Sequence, residues 1–386
     1  MIDSPTTFLS HTVLSFYFLQ VVLVQKNTGD DVGTLFAMKI LKKDYLKKRR
    51  QVERTQTERK VLSVVNHPFI MKMHYAFQSE DKLFFVLDYC AGGELFFHLS
   101  RFRRFPERVA RFYTAELLLA IGHLHKRHII YRDLKPENVL IDADGHVKLG
   151  DFGLAKTGIC HPCEGAMSMC GTPEYMAPEV LLQTGHGFCV DYWGIGMLVY
   201  EMMTGLPPWY TTDRAKLFRR LKSAPLEIPS FFSEPCAACV TAFLERNPRR
   251  RLGYHGVKQA MDHPFFRPIQ FKALYTRKVT PPIRPCDGWS EAEVLAAINS
   301  PNAGDAVKNE ALNKTTSNFD QSFTTMPVDQ EDDHAVDDYD EGDFDDSIGD
   351  HYVGFTYDEA LQQDDAISSS PGRSRTQQGG YLQQTE

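Results

Sequence analysis

Two short stretches constrain this chain more than anything else in it: Ile130-Tyr131-Arg132-Asp133-Leu134-Lys135-Pro136-Glu137-Asn138 and Lys148-Leu149-Gly150-Asp151-Phe152-Gly153. They read as a loop and a strand-turn that set Asp133, Asn138 and Asp151 near one another. An Asp in a short loop can accept a hydroxyl proton, while an Asn five residues on and a second Asp before a Phe-Gly turn each reach a magnesium ion. Lys135 is placed to meet a phosphoryl group in transit. Arg132 is expected to face away, free to hold a negative group elsewhere. An isolated Asp-Phe-Gly is an ordinary turn. The two halves in order, roughly 18 residues apart, point instead to phosphoryl transfer.

The residues before this pair supply what such a site needs to hold a nucleotide. Val21–Val24 and Leu35–Leu41, with a polar turn between them, read as a hairpin. Lys39 sits inside the apolar run of the second strand, where a lysine is ordinarily a strand-end charge. Here it fits a phosphate-holding role, and Glu58, in a charged amphipathic helix, is its expected partner. Asn66-His67-Pro68 ends that helix. Strands follow near Met73–Gln78 and Leu83–Leu87. Asp88-Tyr89-Cys90 then runs into Ala91-Gly92-Gly93-Glu94, a connector whose backbone edge can meet an adenine. Glu94 opens a helix, where the dipole favours an acid in any case, and is a candidate contact for ribose or a substrate arginine.

From Phe105 the pattern is mainly helical, with Ala110–Lys126 leading into the catalytic loop. Leu154–Met169 is polar and irregular. The run from Asp191 to Met202 is apolar nearly all round and so reads as a buried helix, whose leading Asp191 could cap loop amides. Glu179 and Arg251 are candidates for a buried ion pair. Cys236 and Cys239 read as packed thiols within a helix. Cys160, His161 and Cys163 make too few ligands for a zinc site. The scattered cysteines fit a reducing compartment.

Taken together, the Tyr-Arg-Asp-Leu-Lys-Pro-Glu-Asn and Asp-Phe-Gly-Leu runs, Cys170-Gly171-Thr172-Pro173-Glu174-Tyr175-Met176-Ala177-Pro178-Glu179 and Arg251-Leu252-Gly253 resemble a serine/threonine protein kinase of the AGC group. The ribosomal-protein S-six kinases are the nearest likeness, over roughly residues 21–360. The resemblance implies an α+β, two-lobed kinase fold: a small β-rich N-lobe, a larger α-helical C-lobe and an AGC-type C-terminal tail. It also implies ATP and Mg2+ as cofactors. Asp133 and Lys135 would be catalytic; Lys39, Glu58, Asp88, Cys90 and Glu94 would bind ATP; Asn138 and Asp151 would hold the metal. Glu179, Asp191 and Arg251 would be structural.

The resemblance extends to regulation. Ser168 falls at the family's activation phosphosite, with Arg132 and Lys156 as the implied partners of its phosphate. Tyr352-Val353-Gly354-Phe355-Thr356-Tyr357 resembles a hydrophobic motif whose rings dock beside the Glu58 helix, with Thr356 as a second phosphosite. Phe323–Asp329 resembles the turn motif, but Met326 precedes Pro327, leaving Thr325 as a substitute or no site at all. An upstream kinase of the phosphoinositide-dependent type and protein substrates with basic residues ahead of the target Ser/Thr are implied, the latter through Glu94 and Glu137.

The resulting division is an atypical segment at 1–20, a kinase domain at 21–266 (N-lobe 21–88, C-lobe 89–266), an AGC tail at 267–360 and a disordered tail at 361–386. Charge divides the same way. Up to Ser290 there are 39 basic and 28 acidic residues; from Glu291 onward there are 4 basic and 22 acidic, including the run Asp337–Asp346. A basic domain with an acidic tail does not point to nucleic acid but to a tail lying along its own domain or controlled by phosphate. A monomer in the cytoplasm, possible in the nucleus as well, is expected. The uncharged run Phe8–Val24 is just short of a bilayer span and is read as a strand after irregular residues rather than as an anchor.

One departure from the family is large. Leu14-Ser15-Phe16-Tyr17-Phe18-Leu19-Gln20 holds no glycine where the Gly-rich loop should close over the phosphates, and its bulky side chains are expected to clash with nucleotide or leave the first strand unformed. An alternative or misassigned N-terminus is the preferred explanation. A catalytically weak pseudokinase or scaffold is the other.

Overall fold

The computed structural model describes residues 7–15, 20–29, 32–319, 352 and 354–359. The turn-like motif at 323–329, the acidic run at 337–346, residues 361–386 and most of the glycine-free stretch lie outside them.

The N-lobe is an antiparallel sheet of β1 (Phe8–Ser15), β2 (Gln20–Lys26), β3 (Leu35–Lys42), β4 (Met73–Gln78) and β5 (Lys82–Asp88), in the order β1-β2-β3-β5-β4. Two helices, α1 (Lys43–Lys48) and α2 (Val52–Val64), connect β3 to β4. The period of two sorts the side chains by face. Val22, Val24, Phe36, Met38, Phe77, Phe84 and Val86 pack on one side. Leu41, Ala76, Leu83 and Phe85 face the other, against Val61 and Leu62 of α2.

Residues 8–15 are not irregular but form a first strand. β1 pairs antiparallel with β2, with register breaks between Ser10 and Thr12 and between Val13 and Ser15. An edge strand needs only backbone pairing and an anchor. Phe8 supplies the anchor, buried with its ring stacked on Phe77 at 6.1 Å, a burial that stabilises by about 1.5–3 kcal/mol.

The C-lobe begins with α3 (Leu95–Phe102) and α4 (Glu107–His125), followed by β6 (Ile129–Ile130), β7 (Val139–Ile141), β8 (Val147–Leu149) and β9 (Lys156–Thr157). The ribbons β7–β8 and β6–β9 frame the catalytic loop and the segment after Asp151. Six more helices complete the lobe: α5 (Pro178–Leu181), α6 (Cys189–Thr204), α7 (Arg214–Ser223), α8 (Glu234–Phe243), α9 (Val257–Met261) and α10 (Phe271–Tyr275). As its apolar sequence requires, α6 is buried along nearly its whole length. Cys236 and Cys239 on α8 are buried thiols, and burial pushes Cys236 up to about 12.

The tail then returns to the N-lobe. After α11 (Glu291–Asn299) and α12 (Asp305–Thr316), the Asn318 amide donates to the carbonyls of Ala91 at 3.0 Å and Pro285 at 3.2 Å, and Phe319 stacks on Tyr89. Gly93 (φ 68°) makes this approach possible, since a Cβ there would lie 2.1 Å from the Asn318 carbonyl oxygen. Further on, β10 (Tyr357–Asp358) extends the sheet by pairing with β4. Tyr352 and Phe355 are buried beside α2, where Phe355 meets Phe85 edge-on at 5.2 Å. Arg59 of α2 donates to the carbonyls of Phe355 and Thr356 at 3.1 and 3.0 Å. No helix among the described residues is long and apolar enough to cross a membrane.

Candidate active site

The catalytic loop is held from below by Asp191. Its carboxylate accepts the N–H groups of Tyr131 at 3.0 Å and Arg132 at 2.8 Å, and contacts His125 Nε2 at 2.7 Å. α6 therefore carries an acid in its first turn, where the loop above it has amides to satisfy. Glu179 and Arg251 lock the neighbouring segment through two hydrogen bonds of 2.6 and 2.9 Å, with Arg251 fully buried.

On that support Asp133 is fixed at both oxygens. Oδ1 accepts from Thr172 Oγ1 at 2.9 Å, and Oδ2 accepts from Asn138 Nδ2 at 2.9 Å. Lys135 Nζ lies 3.6 Å from Oδ2. Asp151 is exposed, its Oδ1 taking the Gly153 N–H at 3.1 Å, while Phe152 is buried against Tyr131. A carboxylate and a carboxamide so placed are hard oxygen donors of the kind Mg2+ takes.

Lys39 reaches both oxygens of Glu58 at 2.8 Å. Burial alone would lower its pKa; the Glu58 carboxylate, with Asp151 behind it, overcomes this and holds it above the ordinary lysine value. The β3 lysine is thus a charged donor presented into the cleft, as nucleotide phosphates require.

The connector residues divide. The Asp88 side chain turns away from the cleft into a cavity of about 970 Å³ behind the connector. There His74 and Lys148, each at 2.8 Å, outweigh burial and hold its pKa down to about 2. The carboxylate is committed, so only the Asp88 backbone remains for a nucleotide. Cys90 is buried and its carbonyl accepts from Gly93 at 2.9 Å. Glu94 sits at the start of α3, bridged to Leu140 on the strand after the catalytic loop.

Of the two proposed phosphate partners, the structure brings one to Ser168. Arg132 Nη1 donates to Ser168 Oγ at 2.8 Å and its Nε holds the Leu154 carbonyl at 2.7 Å. Lys156, on β9 opposite Ile130, makes no hydrogen bond to Ser168 among the described residues. Thr356 is exposed, clear of the docked rings.

Sequence reasoning missed three participants. Thr172 was legible as part of a motif, but its bond to Asp133 was not. Arg54 of α2 lies close enough to Arg132 to add to the effect of burial in lowering that guanidinium's pKa. Glu201, on α6, accepts from Tyr175 Oη, and burial, reinforced by Glu137 and Glu174, pushes it up to about 7. The sequence signals none of these, because each partner lies on a distant segment.

Residues 20–266 match the protein kinase domain family. The chain is 44% identical over 268 residues to a RAC family serine/threonine-protein kinase homolog of Dictyostelium discoideum, covering 69% of this chain and 59% of that one. Against human ribosomal protein S6 kinase alpha-6 it is 48% identical over 271 residues, 70% of this chain and 36% of the relative. Against human ribosomal protein S6 kinase alpha-2 it is 47% identical over 274 residues, 70% of this chain and 37% of the relative. The match therefore spans little more than half of the first relative and about a third of the others. A domain match over most of the chain, on a two-lobed fold with this site, means that the chain belongs to the protein kinase family, within the AGC serine/threonine branch close to the ribosomal S6 kinases.

Proposed function

We propose that this chain transfers the γ-phosphoryl group of ATP to serine and threonine hydroxyls of proteins with basic residues upstream of the target. The observation that carries the reading is the single constellation of Asp133, Asn138, Asp151 and the Lys39–Glu58 pair, each residue held by partners that leave its working atoms in place. Lys39 binds the nucleotide phosphates. Asp133, fixed at both oxygens, orients the incoming hydroxyl and takes its proton, a role worth about 10²–10⁴-fold. Lys135 supports charge developing on the transferred group. Asn138 and Asp151 would hold Mg2+, which when bound neutralises phosphate charge.

Glu94 and Glu137, joined by Glu201, support the preference for arginine-bearing substrates. Phosphate on Ser168 would draw on Arg132, and phosphate on Thr356 would favour the docked tail, both added by an upstream kinase. Assaying transfer to an Arg-x-x-Ser peptide beside Ala-x-x-Ser tests the substrate class. The first should be at least about tenfold better, the equivalent of about 1.4 kcal/mol, and equal rates would overturn it. The glycine-free stretch at 14–20 favours a second reading, a scaffold that binds nucleotide without turnover. Measurable ATP affinity with no transfer to either peptide would select it.

A further inference from the structure

The activation segment carries Cys160-His161-Pro162-Cys163, and the zinc reading of that run leaves its thiols without a role. In the fold the run lies flat on Gly185–Cys189. Ala166 and His186 exchange two backbone hydrogen bonds of 3.0 and 2.9 Å, and the Cys189 N–H donates to the Pro162 carbonyl at 2.9 Å. Gly187 is what lets the strands touch: a Cβ there would lie 2.0 Å from the His161 carbonyl oxygen and 2.8 Å from Pro162. This packing lays Cys163 alongside Cys189, whose buried thiol donates to the Pro248 carbonyl at 3.4 Å. Cys160 is exposed and points elsewhere, its sulfur over the Gly158 carbonyl at 4.0 Å.

We propose that Cys163 and Cys189 form a redox modification site, closing to a disulfide under a hydroperoxide oxidant. Cys163, half-buried at the segment surface, meets the oxidant first: its sulfur takes one peroxide oxygen to give the sulfenic acid, and water or alcohol leaves. The Cys189 sulfur then attacks the sulfenic sulfur, the S–S bond forms, the S–OH bond breaks, and a second water leaves. Two thiols are oxidised by two electrons and one hydroperoxide is reduced. Burial pushes both thiols above the ordinary cysteine value, so little thiolate forms at neutral pH and closure quickens as pH rises.

The bond would fasten the middle of the activation segment to the first residue of α6. That residue's carbonyl already takes Arg251 Nη1 at 2.8 Å, and Asp191, holding the catalytic loop, lies two positions on. Oxidation would therefore tie the segment carrying Ser168 to the support of the catalytic loop.

The test is peptide mapping of the full chain under non-reducing conditions after hydrogen peroxide treatment, with a reduced sample alongside. The expected product is a Cys163–Cys189 cross-linked peptide, lighter than the two free peptides by two hydrogens, lost on reduction and present also in Cys160→Ser. Slower proteolysis of residues 156–169 in the oxidised chain should accompany it. A Cys160–Cys163 link, or overoxidation with Cys189 still free, would overturn the proposal. Cys163→Ser, which alters only a half-buried position, should abolish the cross-link and the protection together. Protection that persists in this variant would also overturn it.

Discussion

Arg132 and Asp151 hold backbone φ angles of 71° and 45°, in the left-handed region that side chains with a Cβ adopt at a cost of about 1–3 kcal/mol each. Asp191 offsets the first through two amides, and the site places the strain where it aims Asp133 and Asp151 into one cleft. Lys39 is held charged in the same cleft. Replacing it with Met should weaken ATP binding about 10–100-fold, the equivalent of one buried charge-assisted hydrogen bond, as read by nucleotide titration. Unchanged affinity would remove it from the site. Glu201 makes a pH prediction. Its folded pKa of about 7 lies above the usual carboxylate value, so it loses its charge as pH falls through 7. The KM for an arginine-bearing peptide should rise between pH 8 and pH 6, and Glu201→Gln should flatten that dependence. The same raised pKa makes its effect on stability opposite to that of a salt-bridged acid: the folded state loses support as pH climbs from the unfolded value towards 7.

Among the elements, α6 and β3 were legible because their sequences leave little choice. The run from Asp191 to Met202, apolar nearly all round, must be buried, and a lysine inside an apolar strand needs a carboxylate such as Glu58 opposite it. β1 was not legible. Its polar residues hide a strand that one buried ring, Phe8, and backbone pairing suffice to hold. The side taken by the Asp88 carboxylate was not legible for a similar reason: the sequence places the residue on the connector, and only His74 and Lys148, on distant segments, decide where its side chain goes. The Glu179–Arg251 pair joins α5 to the segment after α8 with both charges buried. Glu179→Ala should cost about 3–5 kcal/mol by denaturant unfolding, because it strands a guanidinium with no exposed surface. Replacing both residues with apolar ones should recover most of the loss. A single-site cost below about 1 kcal/mol, the usual value of a surface pair, would mean that the pair is solvated in solution.

Across the whole molecule, the described residues of the tail meet the lobes at the connector through Asn318 and Phe319, and at the far edge of the sheet through Phe355 and β10. Both contacts reach across more than two hundred residues, too far for local pattern to reveal, although the aromatic-Thr-aromatic motif announced the second. Gly93→Ala tests the first. The added methyl meets the Asn318 carbonyl at 2.1 Å on a positive φ, so the tail must lift. The expected result is faster amide exchange in α12 and a raised KM for ATP; unchanged exchange would mean that the tail contact is absent in solution. The central claim is that these residues assemble a phosphoryl-transfer site. It is tested most directly by single-turnover transfer from Mg-ATP to an Arg-x-x-Ser peptide, using the chain beside Asp133→Asn with ATP affinity measured for both. Equal affinity with transfer reduced about 10²–10⁴-fold in the variant is predicted. Transfer at the same rate in both would contradict the account, since the proton acceptor on which it is built would then have no part in the chemistry.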